Sequence, residues 1–117
     1  MIIPKNEKRK FKNGILKNKI KYSLINNNDL NKTQVILSVN VGSSRDTLSN
    51  QGIAHFLEHM LFMGNSLYPE NDYFDKIVKK YGGYTNAFTG TFETVYYFEC
   101  SNIGLNYVLD CFKEFFI

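Results

Sequence analysis

The sequence predicts an α+β fold of two layers, a mixed or antiparallel sheet of about four strands with three helices packed on one face. Three observations point there. Stretches with period-two alternation flank residue 30 and recur between residues 84 and 100, stretches with helical periodicity follow each set, and glycine-containing turns separate the two kinds. A hydrophobic content of 44%, with 15% aromatic residues, lets a chain of 117 residues bury one small core.

Residues 1–14 read as a basic arm. Residues 1–32 hold nine Lys or Arg against Glu7 and Asp29, whereas residues 33–117 hold five against nine acids, so the net charge of +3 belongs to the N-terminal part. Lys5, Lys8, Arg9, Lys10 and Lys12 have neither an aromatic platform nor a recognition helix beside them, which argues for a solvated arm and against nucleic acid as partner. No apolar run has the length of a membrane span or a signal-peptide core, and a cytoplasmic location is the expectation. Cys100 and Cys111 form no C-x-x-C pattern and read as buried, reduced thiols.

"GILKNKIKYSLI" and "TQVILSVNVGS" read as two strands joined by the polar turn "NNNDLNK", hence as an antiparallel pair. Ser49 or Asn50 is the expected cap of a helix that runs to about Met63, where Gly64 and Asn65 provide a stop. "YPENDYFDKIVKKYGG" is a second helix, with Tyr73, Phe74, Ile77, Val78 and Tyr81 on one stripe, Lys79 and Lys80 in the last turn and two glycines beyond. "YTNAFT" and "TVYYFEC" flank a turn at Gly90 and form a second hairpin. The last segment places Leu105, Val108, Leu109, Phe112 and Phe116 at helical spacing and ends on Phe115, Phe116 and Ile117. That apolar end has neither cap nor cover, which predicts a fragment.

The only two histidines lie in "HFLEH", residues 55–59. On a helix His59 stands about 40° round from His55 and Glu58 about 60° to the other side, so the three share an arc of roughly 100°. The remaining surface, Ile53, Ala54, Phe56, Leu57, Met60, Leu61 and Met63, is apolar nearly all round, the pattern of a buried helix. Two imidazoles and a carboxylate in such surroundings need a partner, and neutral imidazoles one turn apart suit zinc. Glu58, set back from the metal line, is placed to deprotonate a water that the metal activates, the arrangement for metal-assisted amide hydrolysis. The competing reading is a polar helix face with two ordinary histidines. Composition alone would give an H-x-x-E-H somewhere in the chain with a probability of roughly 0.2%, which favours metal binding.

H-x-x-E-H is the inverzincin motif, and "HFLEHMLFMG", "YPENDYFDKIVKKYGGYTNAFT" and "YYFEC" follow one another as in the N-terminal catalytic segment of the insulin-degrading enzyme and pitrilysin family of zinc peptidases, which residues 15–117 resemble. The resemblance implies His55 and His59 as zinc ligands and Glu58 as catalytic base. It also implies Asn86, Ala87, Phe88 and Thr89 as an edge strand to which extended peptide adds by backbone pairing. The family's third ligand, a glutamate on a later helix, falls beyond residue 117, as do the domains that close a chamber over the peptide. Within the chain Glu70, Glu93, Glu99, Cys100 and Cys111 are the other conceivable ligands. S-ribosylhomocysteine lyase also pairs H-x-x-E-H with a cysteine, but "HMLFMGNSLYP" and the YYF strand match the peptidases. Two functions stay open on the sequence: the N-terminal piece of a zinc metalloendopeptidase acting on peptides or small proteins with its remaining domains, or an inactive interaction module or truncated product.

Overall fold

The computed structural model describes residues 6–117, and the chain divides into two compact units, residues 1–31 and 32–117. In the first, β1 (Lys10–Ile15) and β2 (Lys21–Asn26) form an antiparallel hairpin, with Phe11 opposite Ile25 and Ile15 opposite Lys21. "GILKNKIKYSLI" is therefore not one strand paired with the next segment. It breaks at Lys17–Ile20, where Lys19 takes φ 70°, Leu16 and Ile20 close the turn through their backbones, and the Asn18 carboxamide accepts the Ile20 N–H. Alternation alone hid this break, because Asn and Lys interrupt the period without disturbing its phase. Of the arm expected over residues 1–14, residues 1–5 lie outside the described residues and Lys10 onward belongs to β1.

The second unit carries a three-stranded antiparallel sheet in the order β3 (Lys32–Val39), β5 (Thr94–Ser101), β4 (Tyr84–Thr89). The α+β class and the second hairpin are as expected; among the described residues the strands number five, in two sheets. Register puts Val35 and Thr85 beside Phe98, and Leu37 and Ala87 beside Tyr96, so one face of the sheet collects apolar side chains. Helices α1 (Ile53–Leu61), α2 (Tyr73–Lys80) and α3 (Leu105–Lys113) cover that face. The core is Phe74 and Val78 of α2, Tyr96, Phe98 and Cys100 of β5, Val108, Cys111 and Phe112 of α3, and Phe115. Its rings meet mainly edge to face: Phe98 lies 5.7 Å from Phe74 and 5.2 Å from Phe112 between centroids.

α2 stops because Gly82 takes φ 67°, and a side chain at Gly83 would collide with the backbone of Glu99, so the chain can turn directly into β4 beside β5 only with glycine there. α3 continues into a 3-10 turn over Glu114–Phe116 that buries Phe115 and sets Phe116 against Tyr96, so the apolar end is partly covered from within. Both cysteines are free and buried; burial, with Glu114 next, pushes the Cys111 thiol up to about 11, and burial likewise raises Cys100. Among the described residues no helix is long and apolar enough to cross a membrane.

Candidate metal and catalytic site

α1 carries both histidines and Glu58, and its start explains their placement. Neither Ser49 nor Asn50 caps it: the Ser49 hydroxyl pairs with that of Thr47, and the Asn50 N–H donates to the Thr47 carbonyl. The cap position is Gly52 in the left-handed region at φ 85°, which offers no side chain. Asp46 supplies the missing acceptor from six residues upstream. Its Oδ2 accepts the Gly52 N–H at 2.8 Å and its Oδ1 the Ala54 N–H at 3.1 Å, satisfying two orphan amides and setting a negative charge at the positive helix end. The 3-10 turn before Asp46 is pinned in turn, as Ser43 and Ser44 donate their N–H groups to Gly90 and Thr91 in the β4–β5 turn. Helix and sheet are thereby set relative to one another at the end that bears His55.

The helix lies the opposite way round from its composition. Ile53, Phe56, Leu57 and Met60 are exposed, and Glu58, at 6% exposure, is its one buried residue. The Thr89 hydroxyl donates to Glu58 Oε2 at 2.5 Å. Oxygen without a charge partner would be costly there, so this contact and the neighbouring imidazoles define what the carboxylate can do. Buried Tyr96 stands near enough that Glu58 adds to the burial that raises its phenol.

His55 Nε2 and His59 Nε2 lie 3.0 Å apart, their rings 4.6 Å between centroids and tilted by 55°. Two imidazole nitrogens bonded tetrahedrally to one zinc at about 2.0–2.1 Å would be about 3.3 Å apart, so a few tenths of an ångström separate this pair from a ligating one. One ligand atom from each of His55, Glu58 and His59 falls within 4.8 Å of the others. Among the described residues this is the one such group of three; Glu70, Glu93, Glu99, Cys100 and Cys111 are not part of it. Two imidazole nitrogens with a carboxylate beside them suit a borderline-soft divalent ion.

A cavity of about 620 Å³ opens in front of the group, lined by Asp46, Gln51, His55, Glu58, Phe88 and Thr89 among others. Strand β4 forms its other wall and has β5 as its neighbour on one side, at the sheet's edge. Ala87 and Thr89 face the helices, while Asn86 and Phe88 are on the opposite, exposed face. The Asn86 carboxamide accepts the Ala87 N–H at 2.9 Å, occupying one donor of the strand backbone. Of the residues named from the sequence, Ala87, Phe88 and Thr89 of β4 and His55 and Glu58 of α1 border this one space, whereas Asn86 and His59 are not among its lining. Sequence reasoning missed Asp46, whose only signal was a carboxylate upstream of a segment lacking a conventional cap, and the side-chain link from Thr89 to Glu58.

The family description "Insulinase (Peptidase family M16)" matches residues 22–117. The chain belongs to the insulinase family of peptidases. "Insulin-degrading enzyme-like 1, peroxisomal" of Arabidopsis thaliana is 40% identical over 114 residues, covering 97% of the chain, and the insulin-degrading enzyme of Homo sapiens is 37% identical over 111 residues, covering 95%. The crystal structure of pitrilysin superposes with a TM-score of 0.90 at 32% identity over 95% of the chain. The chain spans only 12%, 11% and 12% of these three proteins respectively.

Proposed function

We propose that this chain is the metal-bearing N-terminal part of a zinc metalloendopeptidase, with His55 and His59 as metal ligands, Glu58 as general base and the edge of β4 at Asn86–Thr89 as the seat of an extended peptide. The observation that carries the reading is the 3.0 Å approach of two imidazole nitrogens beside a buried carboxylate, facing a cavity bounded by a sheet edge. Zinc, when bound, supplies Lewis acidity that polarises the scissile carbonyl and makes water a stronger acid.

The chain's own residues do the rest. His55 and His59, one turn apart on a helix anchored by Asp46, present their nitrogens as a fixed pair. Glu58 accepts the proton of the attacking water and returns it to the amide nitrogen as the C–N bond breaks. The β4 backbone receives peptide main chain, a mode that reads few side chains and suits many peptide sequences, and Asn86 must swing off the Ala87 N–H to admit it. A third ligand and the rest of the enclosure would come from polypeptide beyond this chain, in keeping with its 12% share of pitrilysin. Substitution of Glu58 by Gln in the intact peptidase should leave zinc content unchanged and lower peptide cleavage by at least about a hundredfold. Cleavage at the original rate would remove Glu58 from the mechanism.

A further inference from the structure

We infer that Thr89 is a positioning residue for Glu58: its hydroxyl locks one carboxylate oxygen so that the other faces the cavity, and strand β4 thereby seats the peptide and aims the base with one rigid element. The inference rests on the peptidase reading of the site and adds to it a role for a side chain that the reading uses only through its backbone.

Four observations support it. Glu58 is the one buried carboxylate among the described residues, so the direction of its oxygens is set by what it touches rather than by water. Thr89 Oγ1 donates to Oε2 at 2.5 Å, and a hydroxyl has a single proton to give, so Oε1 is left to accept from a water in the cavity. Thr89 is the last residue of β4 and lies opposite Thr94 of β5 on the helix-facing side; its branched side chain has few rotamers, so the strand backbone fixes the hydroxyl direction. Finally, Glu58, Ala87, Phe88 and Thr89 line one cavity, with Thr89 only two residues from the Ala87 N–H that the Asn86 carboxamide covers. A peptide paired to this edge and the base held by Thr89 share one frame.

The test uses Thr89→Val, which keeps the branch and removes the hydroxyl, Thr89→Ser, which keeps the hydroxyl, and Thr89→Ala as a second hydroxyl-free variant should the Val variant fail to fold. Kinetics of the intact peptidase on a quenched fluorescent peptide should show kcat lowered between about ten- and a hundredfold in the hydroxyl-free variant, KM changed less than about twofold, and most of kcat restored by Ser. Zinc content should equal that of the wild type in all three. In thermal melts of the 117-residue chain, the loss on removing the hydroxyl should largely disappear in a Glu58→Ala background, as expected for two groups that stabilise each other. A rise in KM with kcat intact, no rescue by Ser, or an equal melting loss in both backgrounds overturns the positioning role while leaving the peptidase reading standing. A wild-type protein that binds no zinc and cleaves no peptide overturns both.

Discussion

Helix α1 and the layer formed by β5 and α3 handle apolar residues in opposite ways. On β5 and α3, Phe98, Cys100, Val108 and Phe112 point inward at the spacing that their periodicity dictates, and polar neighbours such as Glu99 and Asp110 point away. α1 has a higher apolar content, yet it buries its carboxylate and exposes Ile53, Phe56, Leu57 and Met60. Local rules and global fold agree in the first region and conflict in the second, and such conflicts concentrate where function has a claim on the residues. An exposed apolar stripe beside an inward-facing carboxylate costs stability that an ordinary surface helix would not lose. α1 keeps that arrangement at the cavity that His55 and Glu58 line.

Several experiments break or sharpen the contrast. The largest effect should come from Phe98→Ala, which empties the centre of a ring cluster at 0% exposure and should cost about 3–5 kcal/mol in chemical denaturation, enough to unfold much of so small a domain. Next comes Asp46→Ala, which strips α1 of its acceptors at Gly52 and Ala54; a loss of about 0.5–2 kcal/mol is expected, accompanied by weaker zinc uptake, because the frayed turn is the one that precedes His55. A pH series isolates the buried thiol. The Cys111 pKa rises from its ordinary 9.0 to about 11 in the fold, so the neutral thiol is favoured there, and its contribution is fully present below pH 9 and is lost as pH climbs toward 11. Denaturation midpoints should therefore fall across that window, and less steeply in Cys111→Ala. The smallest effect belongs to Phe56→Ala: at 64% exposure it should change stability by no more than about 0.5 kcal/mol in either direction. A loss as large as that from Phe98 would mean that α1's stripe is covered in solution.

The same contrast explains what could be read in advance. The second hairpin, α2 and α3 were legible because their alternation or helical stripe, the turn at Gly90 and the paired glycines after Tyr81 all agreed. α1 was legible as a helix from its motif but not in its orientation, since a count of apolar residues cannot tell which face the sheet will take. The hairpin β1–β2 was misread because a turn made by Asn18 and Lys19 lacks glycine and proline, and only the positive φ of Lys19 reveals it. In the candidate site the histidine spacing announced the close pair of imidazoles, a purely local matter of helical geometry. Asp46 and the Thr89–Glu58 contact depend on tertiary approach across 8 and 31 residues, which no local pattern encodes.

Zinc titration of the intact peptidase, followed by bound-metal analysis after gel filtration, tests the central claim most directly. Wild type and Glu58→Gln should each retain zinc, and His55→Ala and His59→Ala should each lose it while keeping the far-UV circular dichroism of the fold. Retention of zinc by either histidine variant at the wild-type level would contradict the account.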